Sequence, residues 1–120
     1  MTDYTDLIVW QRGMLLAESI YEITAYFPKE EQFGLTRQIR RAAVSVPSNI
    51  AEGHGRGTKK EFIYFLRVAR GSAAEIQTQL LLAGRLSFLS ADQAENLKNQ
   101  YEEIKRMLGA IIVKSENGMP

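Results

Sequence analysis

Cysteine is absent from this chain of 120 residues, so a disulfide framework, a thiolate metal site and a cysteine nucleophile are all excluded. Histidine occurs once, at His54, and a lone imidazole has no second one with which to share a metal. Neither metal nor cofactor is expected. No apolar run approaches the ~20 residues that a membrane span requires, and the first residues, Met-Thr-Asp-Tyr-Thr-Asp, are acidic where a secretory signal would be basic. The cytoplasm is therefore the expected location, with no membrane contact. Proline is scarce, at Pro28, Pro47 and Pro120, and the net charge is only +1, so the chain as a whole lacks the basic excess of a dedicated nucleic-acid binder.

The charge that is present is unevenly placed. Residues 1–33 carry two basic and six acidic side chains, residues 34–70 eight and two, and residues 71–120 five and six. The middle third can generate a local positive field that the balanced total conceals. The length is that of one domain, enough to bury about two thirds of the surface that the unfolded chain exposes. Residues 1–113 are read as that domain, and residues 114–120, polar and without periodicity, as a disordered tail.

Apolar positions recur at three-four spacing through four segments. Helix one is expected from Thr5 to Tyr26, with Leu7, Trp10, Met14, Ala17, Tyr21 and Thr24 as one stripe and Leu16, Ile20, Ile23 and Phe27 as a second. So wide an apolar face calls for two neighbouring helices. Pro28 ends it, and residues 29–34 form a short connection. Helix two follows from Leu35 to Glu52 on the stripe Ile39, Ala43, Val46 and Ile50, with Gly53 expected to leave it in a left-handed conformation. Pro47 removes the bond to the Ala43 carbonyl and crowds it. The stripe keeps its phase across the proline, which favours one kinked helix over a break near Ser45 with Pro47 opening a new helix. Thr58 and Glu61 read as a capping box for helix three, which reaches Leu86 on the stripe Phe62, Phe65, Ala69, Ser72, Ile76 and Ala83. Leu80, Leu81, Leu82, Leu86, Phe88 and Leu89 carry the apolar surface beyond a single face, which implies a partner chain. Ser90 and Gln93 cap helix four, whose stripe is Leu97, Tyr101, Ile104, Leu108 and Ile111. Four helices on short connections give an all-α, up-down-up-down antiparallel four-helix bundle, helix two kinked near Pro47. Ala42, Ala43, Ser45, Ala69, Gly71, Ser72, Ala73 and Ala74 are expected to form a small-residue seam between helices two and three.

The segment from Gln38 to Arg56, QIRRAAVSVPSNIAEGHGR, together with Trp10-Gln11, Tyr26-Phe27-Pro28, Phe33-Gly34-Leu35, Gly71-Ser72 and Glu75, resembles the four-helix-bundle family of 23S rRNA-intervening-sequence proteins. The accessory variability proteins of diversity-generating retroelements belong to the same group. The resemblance implies a cytoplasmic, non-enzymatic bundle that assembles into rings, often pentamers. In the retroelement branch it also implies contact with nucleic acid and a reverse transcriptase.

Taken as a hairpin about residues 54–57, helices two and three bring Arg41 to the level of Arg70. Lys60, Arg67 and Arg70 share a sector of about 80° at ~100° per residue. Arg37 and Arg41 lie one turn apart. A basic strip of Arg37, Arg41, Arg56, Lys59, Lys60, Arg67 and Arg70 could bind the phosphates of RNA or DNA. The competing reading makes arginines structural, with Arg40 or Arg41 paired to Glu75 or across a subunit boundary. Asn49 and Ser72, with Ser45 and Ser48, are expected in a polar network near Pro47 with Arg40 and Glu75 beside it. The glycines of residues 53–57 precede a helix start, yet Gly57 is followed by Thr58 before Lys59, so no Walker loop is formed, and a tight turn is the better reading. No catalytic residue is assigned, because no serine has a nucleophile elbow or a histidine partner. The function read from the sequence is a self-associating bundle that binds nucleic acid through helices two and three, as accessory to a reverse transcriptase. The alternative is a structural oligomer or protein adaptor without a nucleic-acid role.

Overall fold

Amphipathic periodicity becomes four helices in the computed structural model, which describes residues 3–118. They are α1 (Ile8–Thr24), α2 (Leu35–Gly55), α3 (Lys59–Arg85) and α4 (Ala91–Glu116), with 3-10 turns at Tyr4–Asp6 and Lys29–Glu31 and no strand among the described residues. Each helix packs on two neighbours, α1 on α2 and α4, α3 on α2 and α4. The arrangement is an all-α four-helix bundle. Paired positions run in opposite directions along adjoining helices: Thr24 meets Arg40 while Gly13 meets Pro47, and Gly53 meets Phe65 while Ser45 meets Ser72. The overall extents are 46 × 22 × 19 Å, the long one set by α3, which at ~1.5 Å per residue spans ~40 Å.

The core is built from Ile20 of α1, Ile39, Val46 and Ile50 of α2, Leu66, Ile76 and Leu80 of α3, and Tyr101, Ile104 and Leu108 of α4, all fully buried. Both expected stripes of helix one contribute to the core: Leu16 and Ile20 of the second are buried, as are Leu7, Ala17 and Thr24 of the first, whereas Met14 and Tyr21 of the first are 40% and 45% exposed. Gly13 explains why these two turn outward. A Cβ there would lie 3.4 Å from Val46 and 3.6 Å from Pro47, so α1 rests on α2 through a glycine and turns Met14 and Tyr21 outward. On α3 the buried line is Ile63, Leu66, Ala69, Ala73, Ile76 and Leu80, with Phe62 and Phe65 half-buried at its edge.

α2 is continuous through Pro47 as far as Gly55, so no new helix begins there. Gly53 does not end it. It is buried inside the helix because a Cβ would lie 2.7 Å from the Phe65 Cβ and 3.3 Å from the Phe62 carbonyl oxygen, and the left-handed turn falls instead on Gly57, at φ +86°. In the seam, Ala42, Ala43, Ala69 and Ala73 are buried, while Gly71 faces open space. The Thr58 hydroxyl accepts from the Glu61 N–H at 3.2 Å and donates to the Glu61 carboxylate at 3.1 Å, so the predicted box is half made. Ser90 and Gln93 complete theirs in both directions. α3 stops in a Schellman turn: the Phe88 N–H reaches the Ala83 carbonyl at 2.9 Å and the Ser87 N–H the Gly84 carbonyl at 3.1 Å, with Ser87 at φ 64°. α4 continues to Glu116, so the first three residues of the expected tail are helical and Ser115 is buried. Met119 and Pro120 lie outside the described residues.

Candidate functional site

Positions 37, 40, 41 and 44 of α2 fall on the side of the helix away from its buried line of Ile39, Ala43, Val46 and Ile50. Three of the four are arginine, and they open onto a groove of about 620 Å³ between α2, α1 and the connection that carries Phe33. Arg40 forms its inner wall. Its Nε donates to Thr24 Oγ1 at 2.8 Å, its Nη2 donates to the Tyr21 carbonyl at 3.3 Å, and its guanidinium carbon sits 4.6 Å from the centre of the Tyr21 ring. Thr24, buried, hands its own proton to the Ile20 carbonyl at 2.7 Å, which leaves its oxygen free to accept from Arg40.

Arg37 and Arg41 are exposed and make no hydrogen bond or ion pair among the described residues, and no carboxylate lines the groove. Three arginines therefore line one groove whose lining holds no acid, while Arg41 also lines an adjoining groove together with Glu75. Phe33, 78% exposed, and Tyr21 give the groove an aromatic side. Next to it, sharing Tyr21 and Val44, lies a mainly apolar groove of about 560 Å³ formed by Tyr4, Trp10, Met14 and Pro47.

The continuous strip expected along α2 and α3 is divided. Arg67 pairs with Glu116 of α4, and Arg70 lies with a guanidinium nitrogen 3.7 Å from where a Cβ would stand on Gly109. Both arginines thus belong to the α3–α4 edge, away from Arg37 and Arg41. Arg56 is held by Glu52 at 2.7 Å and Glu61 at 3.5 Å and lies 5.1 Å over the Phe65 ring, so it fastens the hairpin. Lys59 and Lys60 remain exposed on the first turn of α3, without ion pairs among the described residues.

The expected polar network also separates. Asn49 Nδ2 donates to the Ser45 carbonyl and hydroxyl oxygens, both at 2.8 Å, and the Ser45 and Ser72 hydroxyls are 2.8 Å apart. Arg40 turns to α1 instead, and Glu75 accepts from Gln79 Nε2 at 3.2 Å. The pairing of Arg40 or Arg41 with Glu75 is not formed within the chain. His54 packs between the rings of Tyr4 at 6.5 Å and Phe62 at 6.3 Å, a structural setting. No group of histidine and carboxylate side chains among the described residues could hold a metal, and no helix among them is long and apolar enough to cross a membrane.

Sequence reading did not find Thr24, Tyr21 and Phe33 as site residues. Thr24 and Tyr21 both belong to the first apolar stripe of helix one, where Thr24 is indeed buried and Tyr21 is not. Phe33 carried a usable signal, a large apolar side chain in a polar connection just ahead of helix two and outside its apolar stripe.

A family model described as 23S rRNA-intervening sequence protein matches residues 5–110. The chain belongs to that family. It is similar to a solved structure from Bacteroides thetaiotaomicron VPI-5482, described as a protein with unknown function from the S23 ribosomal protein family. The two are 27% identical, the match covers 88% of this chain and 98% of that one, and the TM-score is 0.78. No curated protein matches the chain. The family model covers Arg37, Arg40 and Arg41 and stops short of Glu116, the partner of Arg67. No catalytic family is indicated for this member.

Proposed function

We propose that this bundle is a non-enzymatic binding protein of the cytoplasm that engages RNA or DNA through the arginine groove of α2. The observation that carries the reading is the convergence of Arg37, Arg40 and Arg41 on a groove with no carboxylate in its lining. Guanidinium groups suit phosphates because their planar fork matches the phosphate oxygens. Lys59, Lys60 and Arg56 extend the positive field toward the hairpin end, with Arg56 largely neutralised by its two glutamates. Arg67 and Arg70 serve the α3–α4 edge in this reading.

Self-association accompanies binding. Leu81, Leu82 and Leu86 are 41–49% exposed on one helix end, and Leu15 is 63% exposed on α1, a surplus that a second copy would cover. The proposed assembly is a ring of five, with a reverse transcriptase as the protein partner. A second reading, a structural oligomer whose Arg37 and Arg41 pair with acids of a neighbouring subunit, is favoured by the apolar groove that adjoins them. Titration of a labelled structured RNA at low salt decides between the two. Binding that weakens steeply with salt and is lost on charge reversal of Arg37 and Arg41 supports the first reading. No binding at low salt, or binding indifferent to those reversals, contradicts it.

A further inference from the structure

The α2 groove differs from a plain phosphate cradle in having an aromatic side as well as a cationic one. Phe33 is 78% exposed, whereas Phe62, Phe65 and Phe88 are half-buried and Phe27, 6% exposed, packs on Phe88 with ring centres 5.6 Å apart. It stands in the connection just ahead of α2, beside Thr36 and Arg37 in the groove lining. The same groove is lined by Tyr21, whose ring already lies against the Arg40 guanidinium. Arg40 spends two of its N–H groups on Thr24 Oγ1 and the Tyr21 carbonyl, which leaves three of the five that an arginine carries. The arginine is thereby fixed in place and still has donors to offer.

Duplexes and single strands make different demands on such a groove. A duplex keeps its bases stacked inside and presents phosphates on a convex surface, so it can use Arg37 and Arg41 but has nothing to place against Phe33. An unpaired strand offers both a phosphate backbone and free base faces, and base-on-aromatic stacking accepts any base. Arg37 and Arg41 are four residues apart, ~6 Å along the helix at ~1.5 Å per residue, which lets one strand running along α2 meet both. An acidic peptide could pair with the arginines, yet it too would leave the exposed phenylalanine unused.

We infer that the groove between α1 and α2 binds single-stranded nucleic acid, with a base stacked on Phe33 beside the Tyr21–Arg40 pair and the flanking phosphates on Arg37 and Arg41. The inference rests on the nucleic-acid reading of the same groove and specifies the form of strand it takes.

The test uses the full chain and a fluorescein-labelled 12-nucleotide RNA, alone and annealed to its complement, titrated by anisotropy at several salt concentrations. The single strand should bind at least ten-fold tighter than the duplex. Phe33→Ala should weaken the single strand about 5- to 100-fold and leave the duplex unchanged, and Phe33→Trp should restore single-strand binding with quenching of the added indole. Because Phe33 is exposed, neither variant threatens the fold, and a thermal melt verifies this. The slope of log K against log salt should be near −1.4 for two phosphate contacts at about −0.7 each, and should not change in Phe33→Ala. Equal affinity for single strand and duplex, or a Phe33→Ala variant that binds like the parent, overturns the single-strand assignment while leaving the nucleic-acid reading in place. Displacement of the RNA by poly-glutamate at equal charge overturns it as well. If neither strand form binds at low salt, the nucleic-acid reading falls with it.

Discussion

The Arg40 guanidinium is tied to the Thr24 hydroxyl across the α1–α2 contact, Nε to Oγ1 at 2.8 Å. Because Thr24 is 2% exposed and already donates to the Ile20 carbonyl, it is a fixed acceptor that sets where the inner arginine of the groove sits. Replacing Thr24 with Val keeps the shape and removes the acceptor. Thr24→Val should lower stability by about 1–3 kcal/mol, since the Arg40 Nε is left partly buried without a partner. Chemical denaturation measures this, and an unchanged midpoint would show that Arg40 is held by its stacking on Tyr21 alone.

Three backbone positions should respond in different directions. Gly53→Ala places a Cβ 2.7 Å from the Phe65 Cβ, with α3 backbone behind it, and should cost about 1–3 kcal/mol or more through overpacking. Gly71→Ala meets nothing within 4 Å inside α3 and should stabilise by about 0.5–1 kcal/mol, the helix preference of alanine over glycine. Ser87→Gly relieves a left-handed φ of 64° and should stabilise by up to about 1 kcal/mol. Thermal melts of the three variants check the order, and a stable Gly53→Ala would contradict the close α2–α3 approach.

Tyr101 is fully buried on α4 and its hydroxyl has no hydrogen-bond partner among the described residues. Burial pushes the phenol well above its ordinary value of 10.0, because the phenolate would lose its hydration. A folded-state pKa above the unfolded one leaves stability complete below about pH 10 and removes it as the pH rises further. Tyr101→Phe should abolish this alkaline loss. At neutral pH it should change stability by less than about 1 kcal/mol, or raise it, because it deletes an unsatisfied polar group. Denaturation curves at pH 7 and above pH 10 test both statements.

Gln77 joins α3 to α4 by donating from Nε2 to the Lys98 carbonyl at 3.1 Å and to Glu102 Oε1 at 2.9 Å, while its own oxygen accepts from Lys105 Nζ at 3.1 Å. The Gln77 amide, and after it the Lys105 charge, hold the Glu102 carboxyl below its ordinary value of 4.5. A depressed carboxylate contributes fully above the unfolded value and loses its contribution as the pH falls through the folded one. Glu102→Gln should therefore flatten the stability profile below about pH 4.5, and Gln77→Leu should do the same through loss of the amide bond. Acid titration of the folded fraction measures it. An unaltered profile in both variants would separate Glu102 from the acid response.

The helices were legible because each carries a strong three-four apolar period and explicit end signals, Pro28 after α1, Thr58 before α3 and Ser90 before α4. Which positions of α1 turn outward was not, since Met14 and Tyr21 share the three-four stripe of the buried Leu7, Ala17 and Thr24, and the contact of Gly13 with Val46 and Pro47 decides it. The basic strip misled for a related reason. Counting residues outward from a hairpin fixes the level of a side chain along the bundle but not its angle around the helix, and α3 has a second neighbour, α4, that claims Arg67 and Arg70. Gly53 shows the same limit, because a glycine near a helix end satisfies both a left-handed exit and a close crossing, and the position of Phe65 selects the second.

The salt dependence of RNA binding in the unaltered chain and in the Arg37→Glu, Arg41→Glu double variant tests the central claim most directly. The account predicts measurable low-salt binding by the unaltered chain, and in the double variant at least a ten-fold loss with a slope of log K against log salt shallower by more than about 1, while the corresponding reversal of Arg67 and Arg70 has a smaller effect. Equal binding and equal slopes in the unaltered and Arg37/Arg41-reversed chains would contradict it.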